Sequence, residues 1–428
     1  MKESLKVGLL GLGTVGSGVP AILREKAKKI NQIVGVKIVV SKALVLDLEK
    51  VQNLAEEYDI KLISDFQEIL KDEQIDIVVE LMGRVHPAYE FILEALKAKK
   101  HVVTANKDLI AIYGPELIAV AKEQKRSFYY EAAVAGGIPI LRTLSHSLCA
   151  DGIEEVLGIV NGTTNYILTQ MESNGKSYET ALASAKSLGF AESDPTNDVD
   201  GIDAAYKMVI LSHFAYGMRV KLEDVEKEGI RNLQAIDVKM ADSLGYVFKL
   251  IGRTRKVNDA IDVGVAPILV MKSHPLASVK NEMNAVFMKS TGIGESMYYG
   301  PGAGSLPTAT SVVADLIEIA KDVKQETFGI PFAVYEEETK FASSSEVFDR
   351  YYFNIKVSDR EGQLTHLIKE FADVGIKIQQ VSQHDLQDGV ANVIILTHEA
   401  SKSQKNQFLK KIAKNVEFEL NSVYQILG

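Results

Sequence analysis

A short apolar run, Leu5 to Leu10 (LKVGLL), leads into Gly11, Gly13 and Gly16, and a helical stretch from about Val15 to Ile30 follows. Strand, glycine turn and helix in this order constrain the fold strongly. The first glycine makes the tight turn, the second admits a phosphate close to the backbone, and the third lets helix and strand pack. Further strands at Val36 to Val40, Ile75 to Glu80, His101 to Thr104 and Ser127 to Glu131 alternate with helices such as Pro87 to Lys99 and Pro115 to Gln124. Residues 1–131 therefore read as an α/β Rossmann domain, a doubly wound parallel sheet that takes a dinucleotide at Gly11, Gly13, Thr14, Val15 and Gly16.

The chain has 428 residues, room for two or three domains with their own cores. Its net charge of -9 leaves no basic footprint for nucleic acid. A lone Cys149 makes neither an intrachain disulfide nor a cysteine zinc cluster, which suits a reducing compartment. The N-terminal apolar run is too short for a signal sequence, and no stretch of 18 apolar residues is present. These features point to a cytoplasmic protein that handles small molecules, away from membranes.

From residue 132 the pattern changes. A glycine turn (Ala135, Gly136, Gly137), strands at Val156 to Val160, Ile261 to Val265 and Ala285 to Lys289, and a long helix around Asp203 to Ala215 indicate an α+β substrate and dimerisation domain over 132–334. Gly300, Gly302 and Gly304 precede an apolar helix, Thr310 to Ile319, so that 300–334 is expected to return to the Rossmann domain. The polar, serine-rich stretch 335–350 reads as a linker. Residues 351–428 then give strand (Tyr351 to Val357), helix (Gly362 to Val374), strand (Ile376 to Gln383), an Asp388-Gly389 turn, strand (Val390 to Thr397), helix (Ser403 to Ala413) and strand (Phe418 to Ile426). This βαββαβ order is ferredoxin-like.

The segment Ala185 to Lys207 holds Glu192, Asp194, Asp198, Asp200 and Asp203, five carboxylates in 12 residues, and Lys207 follows Asp203 by four positions. On a helix that spacing puts Asp203 and Lys207 on one face. Acidic residues also gather at solvated helix N-termini, where the dipole favours them, and the pattern alone leaves both readings open.

The same segment resembles the signature of the homoserine dehydrogenase family, with Ala185, Gly189, Phe190, Ala191, Asp194, Pro195, Asp198, Val199, Gly201, Asp203 and Lys207 at the family spacing. The likeness continues through GLGTVGSG (11–18), TANK (104–107), EAAVAGGIPI (131–140), GIVNGTTNYIL (158–168) and YGPGAGSLPTATSVVADL (299–316). Residues 351–428 resemble an ACT domain, including the loop Asp359 to Gly362 where that family commonly holds an amino acid. Together they look like the monofunctional, ACT-bearing branch.

The resemblance implies reversible, NAD- or NADP-dependent reduction of L-aspartate 4-semialdehyde to L-homoserine, on the route to threonine and methionine. Lys207 takes the place of the proton donor, with Lys107 as a second cationic group and Asp203 beside them. Glu192, Asp198 and Asp203 fall at substrate positions. Carboxylates are natural partners for the ammonium of an amino-acid substrate, and hydride arriving at a carbonyl leaves alkoxide character that needs a proton or a cationic donor. Lys107, Gly189 and Gly304 join the glycine turn as cofactor positions. A monovalent cation, Na+, is implied at the Glu131 carboxylate and the main-chain carbonyls of Val134, Gly136 and Ile138, a hard oxygen set. A homo-oligomer, dimer or tetramer, and a threonine effector at the ACT domain are also implied. Truncation near Ser345 is expected to leave an active enzyme with blunted inhibition.

Some positions depart from the family. Leu46 stands before Asp47 where relatives often carry arginine for a 2′-phosphate; Asp47 suits a ribose 2′-hydroxyl, although Lys42 lies nearby. Arg84 replaces a glycine common after Met82-Gly83, and Tyr206 stands where arginine is frequent. Two rivals differ in chemistry. Aspartate-semialdehyde dehydrogenase needs a thiolate, and Cys149 in SHSLCADG lacks that family's surroundings. A silent amino-acid sensor would not need Lys107, Glu192, Asp203 and Lys207 together. His86, His146 and His213 have no metal-ligand spacing.

Overall fold

The computed structural model describes residues 3–333, 335–385 and 389–428. They fall into two compact units, each assembled from three stretches of chain. The first comprises 1–162, 205–225 and 283–338; the second comprises 163–204, 226–282 and 339–428. The contiguous blocks expected from composition differ from this partition, because the central region is shared between the units.

In the first unit six strands form a parallel sheet in the order Lys61–Ile63, Lys37–Leu44, Ser4–Leu10, Ile75–Glu80, His101–Thr104 and Phe128–Tyr129. The central strands IDIVVE and HVVT are almost wholly buried, as a sheet covered on both faces requires. The helix expected over Val15 to Ile30 is two, Thr14–Glu25 and Ala27–Val34, with the chain turning at Lys26 so that Ile30 and Val34 stay buried. The one expected from Pro115 starts eight residues earlier, at Lys107, because Asn106 caps it by accepting from the Leu109 amide at 3.2 Å. The last strand is only Phe128–Tyr129. After it the Glu131 amide donates to the Asp315 carboxylate instead of to a strand, and Glu131–Ala133 forms a 3-10 turn.

The helix Ser305–Gln325 lies against Thr14–Glu25: a Cβ on Gly18 would stand 2.7 Å from that of Ala309 and 3.0 Å from the Ser305 carbonyl oxygen. The first unit also holds Ile153–Ile159, Met283–Ser290 and Gly294–Pro301, paired antiparallel in that order.

The second unit is built on the antiparallel pair Tyr246–Val257 and Ala260–Met271. The free edge of the latter takes the short strand Glu226–Lys227 at Gly264 and Val265, and the strand Phe418–Ile426 at Ile268 and Leu269. From there the order is Phe418–Ile426, Phe348–Ser358, Val390–Thr397, Ile378–Asp385, all antiparallel. The helices Gln363–Asp373 and Lys402–Ile412 cover one face around Phe353, Phe371 and Phe408. Asp388 of the expected hairpin turn lies outside the described residues; Gly389 has the left-handed φ of 70° such a turn needs.

The stretch 335–350 is not a free spacer. Its Glu337 amide donates to the Gly217 carbonyl within the first unit; in the second, Ile261 exchanges bonds with Lys340 and Ala342, and Asp349 is buried. The C-terminal residues are therefore part of the second unit's framework, which corrects the picture of a detachable module.

Candidate active site

Strand Ser4–Leu10 delivers the glycine turn to the carboxyl edge of the parallel sheet. Gly11 has φ 97°, and a side chain there would meet the Leu81 carbonyl oxygen at 2.9 Å; one on Gly16 would stand 2.2 Å from the Gly11 carbonyl oxygen. Gly13 faces open space and heads the Thr14–Glu25 helix with no side-chain cap, so first-turn N–H groups are presented to an anion. The backbone geometry can hold an anion such as a phosphate. Gly304 precedes Ser305, which reaches the same helix at Gly18.

Beside the turn, Leu44 accepts from the Gly11 amide at 3.0 Å, and the chain continues to Leu46 and Asp47. Leu46 is fully exposed, and Asp47 caps the Leu48–Tyr58 helix through the Lys50 amide at 3.2 Å. Lys42 is turned away from this edge, holding Asp72 and the Glu68 carbonyl oxygen, each at 2.8 Å.

On the same edge an unanticipated network supports Lys107. Glu80 closes its strand fully buried and accepts from the Met82 amide at 2.6 Å, from the Gly83 amide at 3.3 Å, and from the Thr104 hydroxyl at 2.6 Å. Burial pushes its carboxyl above the ordinary range against those donors. Thr104 accepts from the Asn106 amide, and Asn106 donates from Nδ2 to the Arg84 carbonyl oxygen at 2.8 Å. Lys107 then begins the helix with Nζ 3.4 Å from Asp108. The signal was a carboxylate closing the apolar strand IDIVVE.

Lys207 lies on the helix Ile202–Tyr216, only 9% exposed, and its Nζ donates to the Val160 carbonyl oxygen. The preceding residue, Tyr206, faces the Lys107–Asp108 end of the neighbouring helix. Its phenol is pushed up by burial and by Asp108, with Lys107 opposing. The first unit thus gathers the glycine turn, Gly304 and Lys107, and sets the helical turn carrying Lys207 near Lys107.

Glu192, Asp198 and Gly189 belong to the second unit, as does Asp203 at the start of the Lys207 helix. Glu192 is exposed, Asp198 and Asp203 half-buried, and Gly189 has φ 78°. Two neighbouring carboxylates are engaged within the fold. Asp194 accepts from the amide and hydroxyl of Thr196, ahead of a short helix, and Asp200 takes both N–H groups of Arg231, at 2.9 and 3.1 Å.

The positions assigned to a cation lie on one turn. Ala135 and Gly136 both have left-handed φ, 54° and 50°, and a Cβ on Gly136 would strike the Gly302 carbonyl oxygen at 2.3 Å. The Gly136 carbonyl oxygen accepts from Ser311 and that of Ile138 from the Ile140 amide. Glu131 is fully buried; its two oxygens accept from the Leu141 and Arg142 amides at 2.8 Å. Asp315, equally buried, pairs with Arg142, whose guanidinium is 3.9 Å from Glu131. Two carboxylates share one guanidinium, and burial together with Asp315 pushes the Glu131 carboxyl up to about 8.

Residues 11–131 match the family profile "Homoserine dehydrogenase, NAD binding domain", and residues 139–317 match "Homoserine dehydrogenase". The homoserine dehydrogenase of Lactococcus lactis is 45% identical over 426 residues, covering 99% of this chain and 100% of that protein. The crystal structure of a homoserine dehydrogenase from Thiobacillus denitrificans superposes with a TM-score of 0.94 at 37% identity, over 99% of this chain and 98% of that one. A hyperthermophilic archaeal homoserine dehydrogenase in complex with NADPH superposes with a TM-score of 0.61 at 29% identity, over 74% of this chain and 97% of that one. Among the described residues no helix is long and apolar enough to cross a membrane. The glycine cradle, the two lysines and likeness along nearly the whole length lead to one conclusion: the chain belongs to the homoserine dehydrogenase family of NAD(P)-dependent oxidoreductases.

Proposed function

We propose that Lys207 exchanges the proton that accompanies hydride transfer between aspartate semialdehyde and homoserine, with Lys107 as the second cation and Asp203 orienting Lys207. The reading rests on one observation above all: a lysine only 9% exposed whose ammonium is anchored by a main-chain carbonyl, one turn after a carboxylate. Such anchoring fixes Nζ in place, at a group whose chemistry is to donate and exchange protons. The nicotinamide cofactor supplies the hydride. Glu192, Asp198 and Asp203 bind the amino-acid substrate, its ammonium being the group that carboxylates recognise.

Of the two cofactors, NAD fits the Leu46-Asp47 edge. Asp47 can accept from a 2′-hydroxyl and would repel a 2′-phosphate, and Lys42 is held by Asp72. The archaeal relative in complex with NADPH shows that the family also accommodates the phosphate. Oxidation of NADH and NADPH by aspartate semialdehyde should favour NADH, and Leu46→Arg should move the ratio of kcat/KM toward NADPH through the cofactor KM, since a guanidinium pairs with phosphate bidentately. No oxidation of either cofactor would overturn the activity. An unchanged ratio in the variant would remove the 46–47 loop from the adenosine ribose.

A monovalent cation completes the site at Glu131 and the carbonyls of Val134, Gly136 and Ile138. Glu131, Asp315 and Arg142 together carry one surplus negative charge in a buried setting, which a proton or a cation can offset. With the folded carboxyl near 8 and the unfolded one near about 4.3, the native state binds the extra proton between those values. This group's contribution to stability therefore falls as pH rises across that window. Sodium competes with the proton, so the gain in Tm from NaCl over choline chloride should be larger at about pH 9 than at about pH 6. Glu131→Gln should erase that difference. Equal sodium effects in the variant would place the ion elsewhere.

The βαββαβ order of residues 348–426 supports an ACT-type regulatory role, with threonine as effector at the Asp359 to Gly362 loop. The protein is read as a cytoplasmic homo-oligomer, dimer or tetramer.

A further inference from the structure

The second unit holds a cavity of about 220 Å³ away from every residue assigned above to substrate, cofactor or cation. Its origin is in the sheet. The Ala260–Met271 strand meets Glu226–Lys227 at Gly264 and Val265, and Phe418–Ile426 at Ile268 and Leu269, so its edge is uncovered at Ala266 and Pro267. Pro267 has no N–H to leave unsatisfied there. The gap is walled by Glu226, Glu228, Tyr351, Lys402 and Lys405.

Their polar groups are unevenly partnered. Lys402 holds Glu226 at 2.6 Å. Tyr351 is 0% exposed, yet its hydroxyl has no hydrogen-bond partner. Lys405 stands with Nζ 5.7 Å from the centre of the Tyr351 ring, and no hydrogen bond or ion pair to its ammonium is found among the described residues. Burial and Lys402 hold its pKa below the ordinary lysine value. Glu228 opens to solvent at the rim, and desolvation pushes its carboxyl up while Lys405 draws it down. A buried hydroxyl without a partner is costly. A lone ammonium beside a second lysine is also unfavourable, so the cavity is built for something that satisfies all three groups.

We propose that this cavity binds a small α-amino acid as its zwitterion, the carboxylate on Lys405, the ammonium on Glu228, and a short polar side chain at the Tyr351 hydroxyl. A simple anion would satisfy Lys405 and be repelled by Glu228 and Glu226; a simple cation would meet the reverse. A molecule carrying both charges on groups bonded to one carbon answers the arrangement, and the volume, below the roughly 300–1,000 Å³ of drug-sized pockets, admits a small one. The inference is independent of the effector reading at Asp359 to Gly362.

Calorimetric titration of the full-length protein with L-serine tests it. Wild type should bind with saturation, and N-acetyl-L-serine, L-serinamide and inorganic phosphate should each bind at least about tenfold more weakly. Lys405→Met and Glu228→Gln should each lose a similar factor while kcat/KM for homoserine stays near wild type; Tyr351→Phe, which keeps the ring, should weaken binding without unfolding. Arg360→Ala, in the other loop, should bind as wild type does. Absence of saturable serine binding, binding undiminished in both charge variants, or phosphate binding that survives in Glu228→Gln would overturn the proposal.

Discussion

Lys207→Arg is expected to lower kcat by about 10²- to 10⁴-fold, the usual cost of losing a positioned acid or base. Arginine keeps the charge, yet its guanidinium does not deprotonate in proteins, so it can hold a substrate oxygen without passing a proton. Cofactor affinity and folding should remain near wild type, because the lysine is anchored by the Val160 carbonyl and not by the dinucleotide cradle. Its tight setting raises the question of whether arginine simply fits badly. Lys207→Ala answers it: a proton-transfer role predicts that ethylamine restores part of the rate, in proportion to amine concentration, whereas a purely steric loss gives no rescue. A Lys207→Arg enzyme within a few-fold of wild type in both directions would exclude Lys207 from proton transfer and leave Lys107 or water as the candidate. Asp203→Asn should instead raise the substrate KM and lower kcat together.

The sequence was most legible where structure is local. The strands Ile75–Glu80, His101–Thr104, Val390–Thr397 and Phe418–Ile426 stand at the limits their apolar runs imply, because a buried strand is written in consecutive residues. The glycine spacing marked the tight turn at the head of the Thr14–Glu25 helix for the same reason. What could not be read were partners brought from far along the chain. Asp315 meets the Glu131 amide from 184 residues away, and nothing near either residue announces it. Asp194 and Asp200 look like the neighbouring carboxylates in sequence, and only the structure shows that they are engaged by Thr196 and Arg231. Asn106 was hidden by Pro115, which mimics a helix start while the helix begins eight residues earlier. The serine-rich 335–350 stretch has a linker's composition but its backbone is engaged at Gly217 and Ile261, an outcome set by tertiary pairing and not by propensity.

That last difference changes what truncation should do. Asp349, with its side chain 3% exposed, receives Arg253 at 2.7 Å and Arg255 at 2.8 Å. Nearby, the buried Asp237 accepts from Tyr352 at 3.1 Å, Asn354 at 2.7 Å and Tyr424 at 3.3 Å. Ending the chain near Ser345 removes Asp349, Tyr352, Asn354 and Tyr424 at once. Arg253 and Arg255 would then lose Asp349, Asp237 would lose three donors, and the edge of the Ala260–Met271 strand would lose Phe418–Ile426. The truncated chain should therefore be recovered mainly as aggregate, not as an active, desensitised enzyme. The single change Asp349→Ala isolates the electrostatic part. Breaking a buried pair by removing one partner costs about 3–5 kcal/mol, with the loss limited here because Arg255 retains Asp262 at 3.1 Å. Urea unfolding followed by tyrosine fluorescence should show a markedly lower midpoint at an unchanged slope, with kcat/KM in native buffer near wild type. A soluble, active truncation at Ser345, or an Asp349→Ala midpoint equal to wild type, would show that the C-terminal segment rests on the second unit without supporting it.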